Sequence, residues 1–184
     1  LGDNRLKSLP ASFGNITVGG SLWLSNNKLK SLPESFGSIK VGWSLLLNDN
    51  ELESLPASFG DIEVGGNLFL NNNKLTLLPE SFGNVKVFEG SLLLNDNQLT
   101  SLPESFGKIT VGGSLWLSNN KLTLLPESFG SIKVERSLLL NNNKLQSLPT
   151  SFGSIEVGWD LQLNNNQLES LPNKPENVQG GMHT

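Results

Sequence analysis

One block of residues recurs along the whole chain, and that recurrence restricts the possible folds more than any other feature. The block is Leu24-Ser-Asn-Asn27-Lys-Leu29-Lys-Ser-Leu32-Pro33-Glu-Ser-Phe36-Gly37. Its second asparagine returns at Asn4, Asn27, Asn50, Asn73, Asn97, Asn120, Asn143 and Asn166. Its proline returns at Pro10, Pro33, Pro56, Pro79, Pro103, Pro126, Pro149 and Pro172. Both series step by 23 residues, with one step of 24, from Asn73 to Asn97 and from Pro79 to Pro103. A unit of this length cannot bury an apolar face by itself, and stacking identical units solves the problem for all of them. The expected architecture is a mainly-β repeat solenoid of about 7–8 coils over residues 1–172, with 173–184 as a C-terminal cap or disordered tail.

Within a coil, Ile16, Val18, Leu22 and Leu24 alternate with polar or small residues, and Gly19-Gly20 interrupts them. Alternation predicts strands with one face buried, and the glycines predict a corner. Two short strands per coil are therefore expected, Ile-x-Val and Ser-Leu-x-Leu, with little or no helix. The asparagine series reads as a structural column, each amide accepting from one backbone N–H and donating to a carbonyl on the next coil. The proline keeps its segment out of a sheet. The Phe of each Ser-Phe-Gly, from Phe13 to Phe152, reads as a stacked aromatic spine, and the glycine after it as a turn with positive φ. Residues 85–91 are one residue longer than their counterparts, which predicts a bulge or widened corner near Phe88. The chain starts in mid-repeat at Leu1, which reads as a fragment or trimmed product.

Composition narrows the function. The net charge is -4. Without a basic patch, binding of nucleic acid through its phosphates is not expected. There is no cysteine, so disulfides and thiolate metal sites are excluded. No apolar run reaches membrane-spanning length, so membrane insertion is not expected. No signal peptide is visible, and the compartment stays open. His183 is the only histidine, the serines recur without a base, and the glycines recur as turns. No catalytic residue, cofactor or metal is implied. Asn48-Asp49-Asn50 and Asn95-Asp96-Asn97 supply one carboxylate per coil, too little charge for a dedicated calcium site. One glycosylation tripeptide, Asn15-Ile16-Thr17, is of a kind common by chance.

The run Leu24-x-x-Asn27-x-Leu29-x-x-Leu32-Pro33 resembles the leucine-rich repeat, and the likeness extends over about residues 1–172. The wording Val-Gly-Gly-Ser-Leu-x-Leu is similar to bacterial and phage variants of that repeat. One departure is that Gly19 and its equivalents stand where the family pattern has its first leucine, with Val18 and its equivalents one place earlier. The resemblance implies a right-handed coil with a parallel sheet on the concave face, used to bind other molecules.

In each Leu-x-Leu strand the middle residue points away from the core. Down the coils that position holds Trp23, Leu46, Phe69, Leu93, Trp116, Leu139 and then Gln162. With strands about 4.8 Å apart, the six apolar residues form a ladder roughly 25 Å long. Exposed apolar patches of that size usually mark an interface. The expected function is a non-enzymatic scaffold that binds a protein partner, or a second copy of itself, through Trp23, Leu46, Phe69, Leu93, Trp116 and Leu139. Ser21, Ser44, Asn67, Ser91, Ser114, Ser137 and Asp160 border the ladder on one side; Asn48, Asn71, Asn95, Asn141 and Asn164 border it on the other. That border leaves a carbohydrate-binding surface module as the alternative. Trp43 and Trp159 fall on the corner, where the plain reading is a large residue filling space over small neighbours such as Gly20 and Gly66.

Overall fold

Four alternating apolar positions split by a glycine corner leave room only for very short strands, and each strand has two residues. The computed structural model describes residues 1–170 and 173–184, so the last leucine–proline pair, Leu171-Pro172, lies outside the described residues. Each full coil runs through a two-residue strand such as Lys40–Val41, a corner, a second strand such as Leu45–Leu46, an extended turn and a single 3-10 turn such as Glu34–Ser38. Among the described residues there is no α-helix. Corresponding strands of successive coils pair in parallel, giving a seven-stranded sheet from Thr17–Val18 to Glu156–Val157 and an eight-stranded sheet from Leu22–Trp23 onward. The eighth strand is Met182–His183, which pairs with Leu161–Gln162; beside it Val178 is buried and bridges Val157.

The core runs along the axis. Leu24, Leu29, Phe36, Ile39, Val41 and Leu45 of one coil are buried against their equivalents above and below. The phenylalanines stack from Phe13 to Phe152, with centroids 5.9–6.3 Å apart and planes within 6° of parallel. Pro33 enters the 3-10 turn in an extended conformation, φ -67° and ψ 152°, and its carbonyl accepts from Phe36 N–H at 2.9 Å. Proline presets that φ and lacks the N–H a sheet would require.

Polar groups in the turns are satisfied by side chains of the neighbouring coil. Asn73 Oδ1 accepts from Leu52 N–H at 3.0 Å, and its Nδ2 donates to the Leu47, Leu70 and Asn71 carbonyls at 3.0–3.3 Å. Asn27, Asn50, Asn97, Asn120 and Asn143 repeat this arrangement and are buried like Asn73. Each amide reaches the preceding coil as well as its own. Asn166 is only half-buried, and the exposed Asn4 bonds within its own turn, to the Leu1 and Gly2 carbonyls.

One local expectation fails. No glycine among the described residues has positive φ. Positive φ, at 53–57°, belongs instead to the residue just before each column asparagine: Asp3, Asn26, Asp49, Asn72, Asp96, Asn119, Asn142 and Asn165. Asparagine and aspartate tolerate the left-handed region better than other side chains. The glycine after the phenylalanine is needed for close approach in every coil from Gly14 to Gly130. A Cβ on Gly37, Gly60 or Gly83 would overlap the serine carbonyl of the following coil.

The left-handed residues also bond to one another. Asn26 Nδ2 donates to Asp3 Oδ1, and Asn72 Nδ2 to Asp49 Oδ1, both at 2.9 Å. A longer run goes from Asn165 through Asn142 and Asn119 to Asp96. Every run ends at an aspartate, whose carboxylate accepts and has no amide to donate to the coil before it. The residues with a single carboxylate per coil are thus occupied in turn chemistry, and no cluster of three metal-ligating side chains occurs among the described residues.

Candidate functional site

The eight-stranded sheet brings the sequence-predicted residues into one row. Its register pairs Trp23 with Leu46, Leu46 with Phe69, Phe69 with Leu93, Leu93 with Trp116 and Trp116 with Leu139. The row continues through Gln162 to His183. Exposure along it is uneven. Trp23 is 57% and Trp116 38% exposed, while Leu46, Phe69, Leu93 and Leu139 are half-buried. Cross-strand packing places Leu46 between the larger Trp23 and Phe69, Leu93 between Phe69 and Trp116, and Leu139 beside Trp116. The face therefore presents two tryptophans four coils apart above a lower apolar floor.

The polar borders of the row are largely committed to backbone. Ser21 Oγ accepts from Ser44 N–H, Ser44 Oγ from Asn67 N–H, and Asn67 Oδ1 from Ser91 N–H. Ser91 and Ser114 continue the series. On the other border Asn48 Nδ2 donates to Asp49 Oδ2 and Asn95 Nδ2 to Asp96 Oδ2, each at 2.6 Å. The Oδ1 atoms of Asn48, Asn95 and Asn141 are buried without a protein partner. Ser25 and Ser118, at the same border position, are buried.

The corner aromatics do not fill space. Trp43 is 69% exposed and Trp159 56%. Backbone bonds hold this corner: Trp43 N–H donates to the Gly20 carbonyl at 3.1 Å, and Gly66 N–H to the Trp43 carbonyl at 2.8 Å. With the stacking set by backbone, the side chains stand off the edge of the coil. Glu135 and Arg136 are exposed there too, and the Arg136 guanidinium lies 5.3 Å from the Trp159 ring centroid, a cation–π contact.

Lysines and acids line the remaining edges as exposed pairs. Lys74 Nζ is 3.0 Å from Glu51, Lys40 3.2 Å from Glu63 and Lys133 3.0 Å from Glu156. Lys74 holds the Glu51 carboxyl below its ordinary range, first by hydrogen bond and then by charge. Glu127 is likewise lowered, by the backbone N–H groups of Thr150 and Ser151 on the next coil. Such exposed pairs contribute little stability and mark no site. Sequence reading missed a depression on the seven-stranded sheet beside Phe88; its one signal was the extra residue there.

The description of the Leucine Rich Repeat family matches residues 21–39 and 114–132. Those two segments are the Trp23 and Trp116 coils, each running from the strand through the asparagine turn to the end of the 3-10 turn. The chain is a leucine-rich repeat protein. No curated protein sequence matches it. Among solved structures it is similar to YopM, described as a leucine-rich effector protein from Yersinia pestis, with a TM-score of 0.66 and 23% identity. The match covers 97% of this chain and 46% of the YopM chain, so this chain spans less than half that length. That likeness is one of fold. Leucine-rich repeat proteins are typically interaction scaffolds without catalytic activity.

Proposed function

We propose that this leucine-rich repeat protein is a recognition scaffold that binds a protein partner through Trp23, Leu46, Phe69, Leu93, Trp116 and Leu139. The single observation that carries the reading is the register: these six side chains form one continuous row on one sheet, with Trp23 and Trp116 projecting from it. Projecting aromatics over an apolar floor are the usual anchors of protein interfaces. Ser21, Ser44, Asn67, Ser91 and Ser114 already accept from backbone N–H groups, and the Asn48 and Asn95 amides donate to aspartates, so these groups have less to offer a sugar hydroxyl. This favours a protein over a carbohydrate.

The first measurement is light scattering at high micromolar concentration. A dimer that Phe69→Glu with Trp116→Glu converts to monomer would make a second copy the partner, because the paired changes bury charge at the contact. For a monomer, a photoreactive residue at position 69 is compared with one at position 40 on the other sheet. Crosslinking to one protein from position 69 alone is the expected result. Equal crosslinking from both positions would remove the row as the binding surface. Specific glycan-array binding lost on Trp23→Ala with Trp116→Ala would assign the row to a carbohydrate instead.

A further inference from the structure

The extra residue in the fourth coil opens the seven-stranded sheet. Elsewhere each strand of that sheet pairs with the next at two positions, but Lys86–Val87 pairs with Thr110–Val111 only at Val87 and Val111. The hydrogen bond from Gly112 N–H to the Val87 carbonyl lengthens to 3.3 Å, against 2.8 Å for the equivalent Gly42–Val18 bond. Glu89 N–H lies 3.4 Å from the Gly65 carbonyl, where Gly66 reaches Trp43 at 2.8 Å. Phe88 is displaced outward and is 63% exposed. Beside it lies a cavity of about 690 Å³ with a predominantly apolar lining, rimmed by Lys86, Lys108, Thr110 and Glu135. That volume falls within the usual range for small-molecule sites.

The charges there depart from the pattern of the sheet. Lys40 and Lys133 each pair with a glutamate one coil on, Glu63 and Glu156. One coil on from Lys86, the residue preceding the paired valine is Thr110, with no carboxylate to offer. Neither Lys86 nor Lys108 has an ion-pair partner among the described residues. Two ammonium groups against the single carboxylate of Glu135 leave the lining with positive charge in excess. Glu89, next to Phe88, does not line the cavity.

We propose that this cavity binds a small amphipathic carboxylate, its apolar body seated against Phe88 and its carboxylate held by Lys86 and Lys108. A carboxylate offers two acceptor oxygens, enough for both ammonium groups and the Thr110 hydroxyl. The site lies on the other sheet from the Trp23–Leu139 row and does not depend on it.

The test is isothermal titration with decanoate, decanol and decyltrimethylammonium, all below micelle-forming concentrations. Decanoate is expected to bind at one per chain, at least about tenfold tighter than the neutral or cationic analogue, the size of a lost charge-assisted hydrogen bond. Deleting Phe88 together with Glu89→Gly restores the regular 23-residue step and should abolish binding. Lys108→Glu, at an exposed position, should weaken it about tenfold, while Phe69→Glu should leave it unchanged. Three results each overturn the proposal: no saturable decanoate binding by the wild type, equal affinity for all three head groups, or full affinity in the folded deletion variant. If the deletion variant does not fold, unchanged affinity in Lys108→Glu overturns it instead.

Discussion

In each turn the left-handed residue, asparagine or aspartate, and the column asparagine after it do opposite jobs. Asn73 is buried and makes four hydrogen bonds, one as acceptor and three as donor. Asn73→Ala leaves backbone groups of two coils unpaired and should cost about 1–3 kcal/mol. Asn72 is exposed, but its φ is 54°. A β-carbon without a compensating side-chain hydrogen bond is strained there, so Asn72→Ala should cost about 1–2 kcal/mol. Asn72→Gly avoids that strain and should cost much less. Urea midpoints at constant m-value measure all three. If Asn72→Ala and Asn72→Gly behave alike, the hydrogen bond to Asp49 matters at this position and the backbone does not.

At the scale of the single coil, the 3-10 turn shows how identical sequence acquires different constraints. Gly60 and Gly153 both follow the phenylalanine of Ser-Phe-Gly. A methyl on Gly60 would overlap the Ser81 carbonyl of the next coil, whereas nothing lies within 4 Å of one placed on Gly153. Gly60 N–H also donates to Ser81 Oγ at 3.1 Å, a bond that requires the same close approach. Gly60→Ala should therefore destabilise by about 1–3 kcal/mol through forced separation of the turns. Gly153→Ala should change stability by less than about 0.5 kcal/mol. Thermal denaturation of the two variants separates close approach from turn conformation. Equal losses would return these glycines to a conformational role.

For the whole molecule, stability is transmitted along the axis, since each coil touches mainly the coils on either side of it. Phe82 is fully buried between Phe59 and Phe106, with centroids 5.9 and 6.1 Å away. Phe82→Ala opens a gap in the middle of that spine and should cost about 3–5 kcal/mol. Trp43 is larger but stands off the corner, and Trp43→Ala should stay within about 0.5 kcal/mol. Denaturant unfolding of the two variants compares an aromatic inside the axis with one outside it. A Trp43 variant as unstable as the Phe82 variant would mean that the corner row packs after all. The same axial arrangement leaves the two sheets free to serve different ligands, the tryptophan row on one and the Phe88 depression on the other.

The repeat by itself determined the solenoid, the two strands per coil, the near absence of helix, the phenylalanine stack and which residue of each Leu-x-Leu strand faces outward. These depend on periodicity and alternation, and both can be read from one-dimensional spacing. Tertiary structure decided what depends on the distance between coils. Sequence could not show that Gly60 is required by a neighbouring carbonyl, since glycine looks the same whether it serves a turn or a contact. Nor could it show that Asn72 and Asp49, and not the glycines, hold the left-handed backbone. The exposure of Trp43 was hidden because backbone bonds at the corner, invisible in residue types, already set the stacking. The Phe88 cavity announced itself only as one extra residue. Its shape follows from how two stretched hydrogen bonds spread that residue across neighbouring coils, and strand registers are fixed only when the coils are stacked.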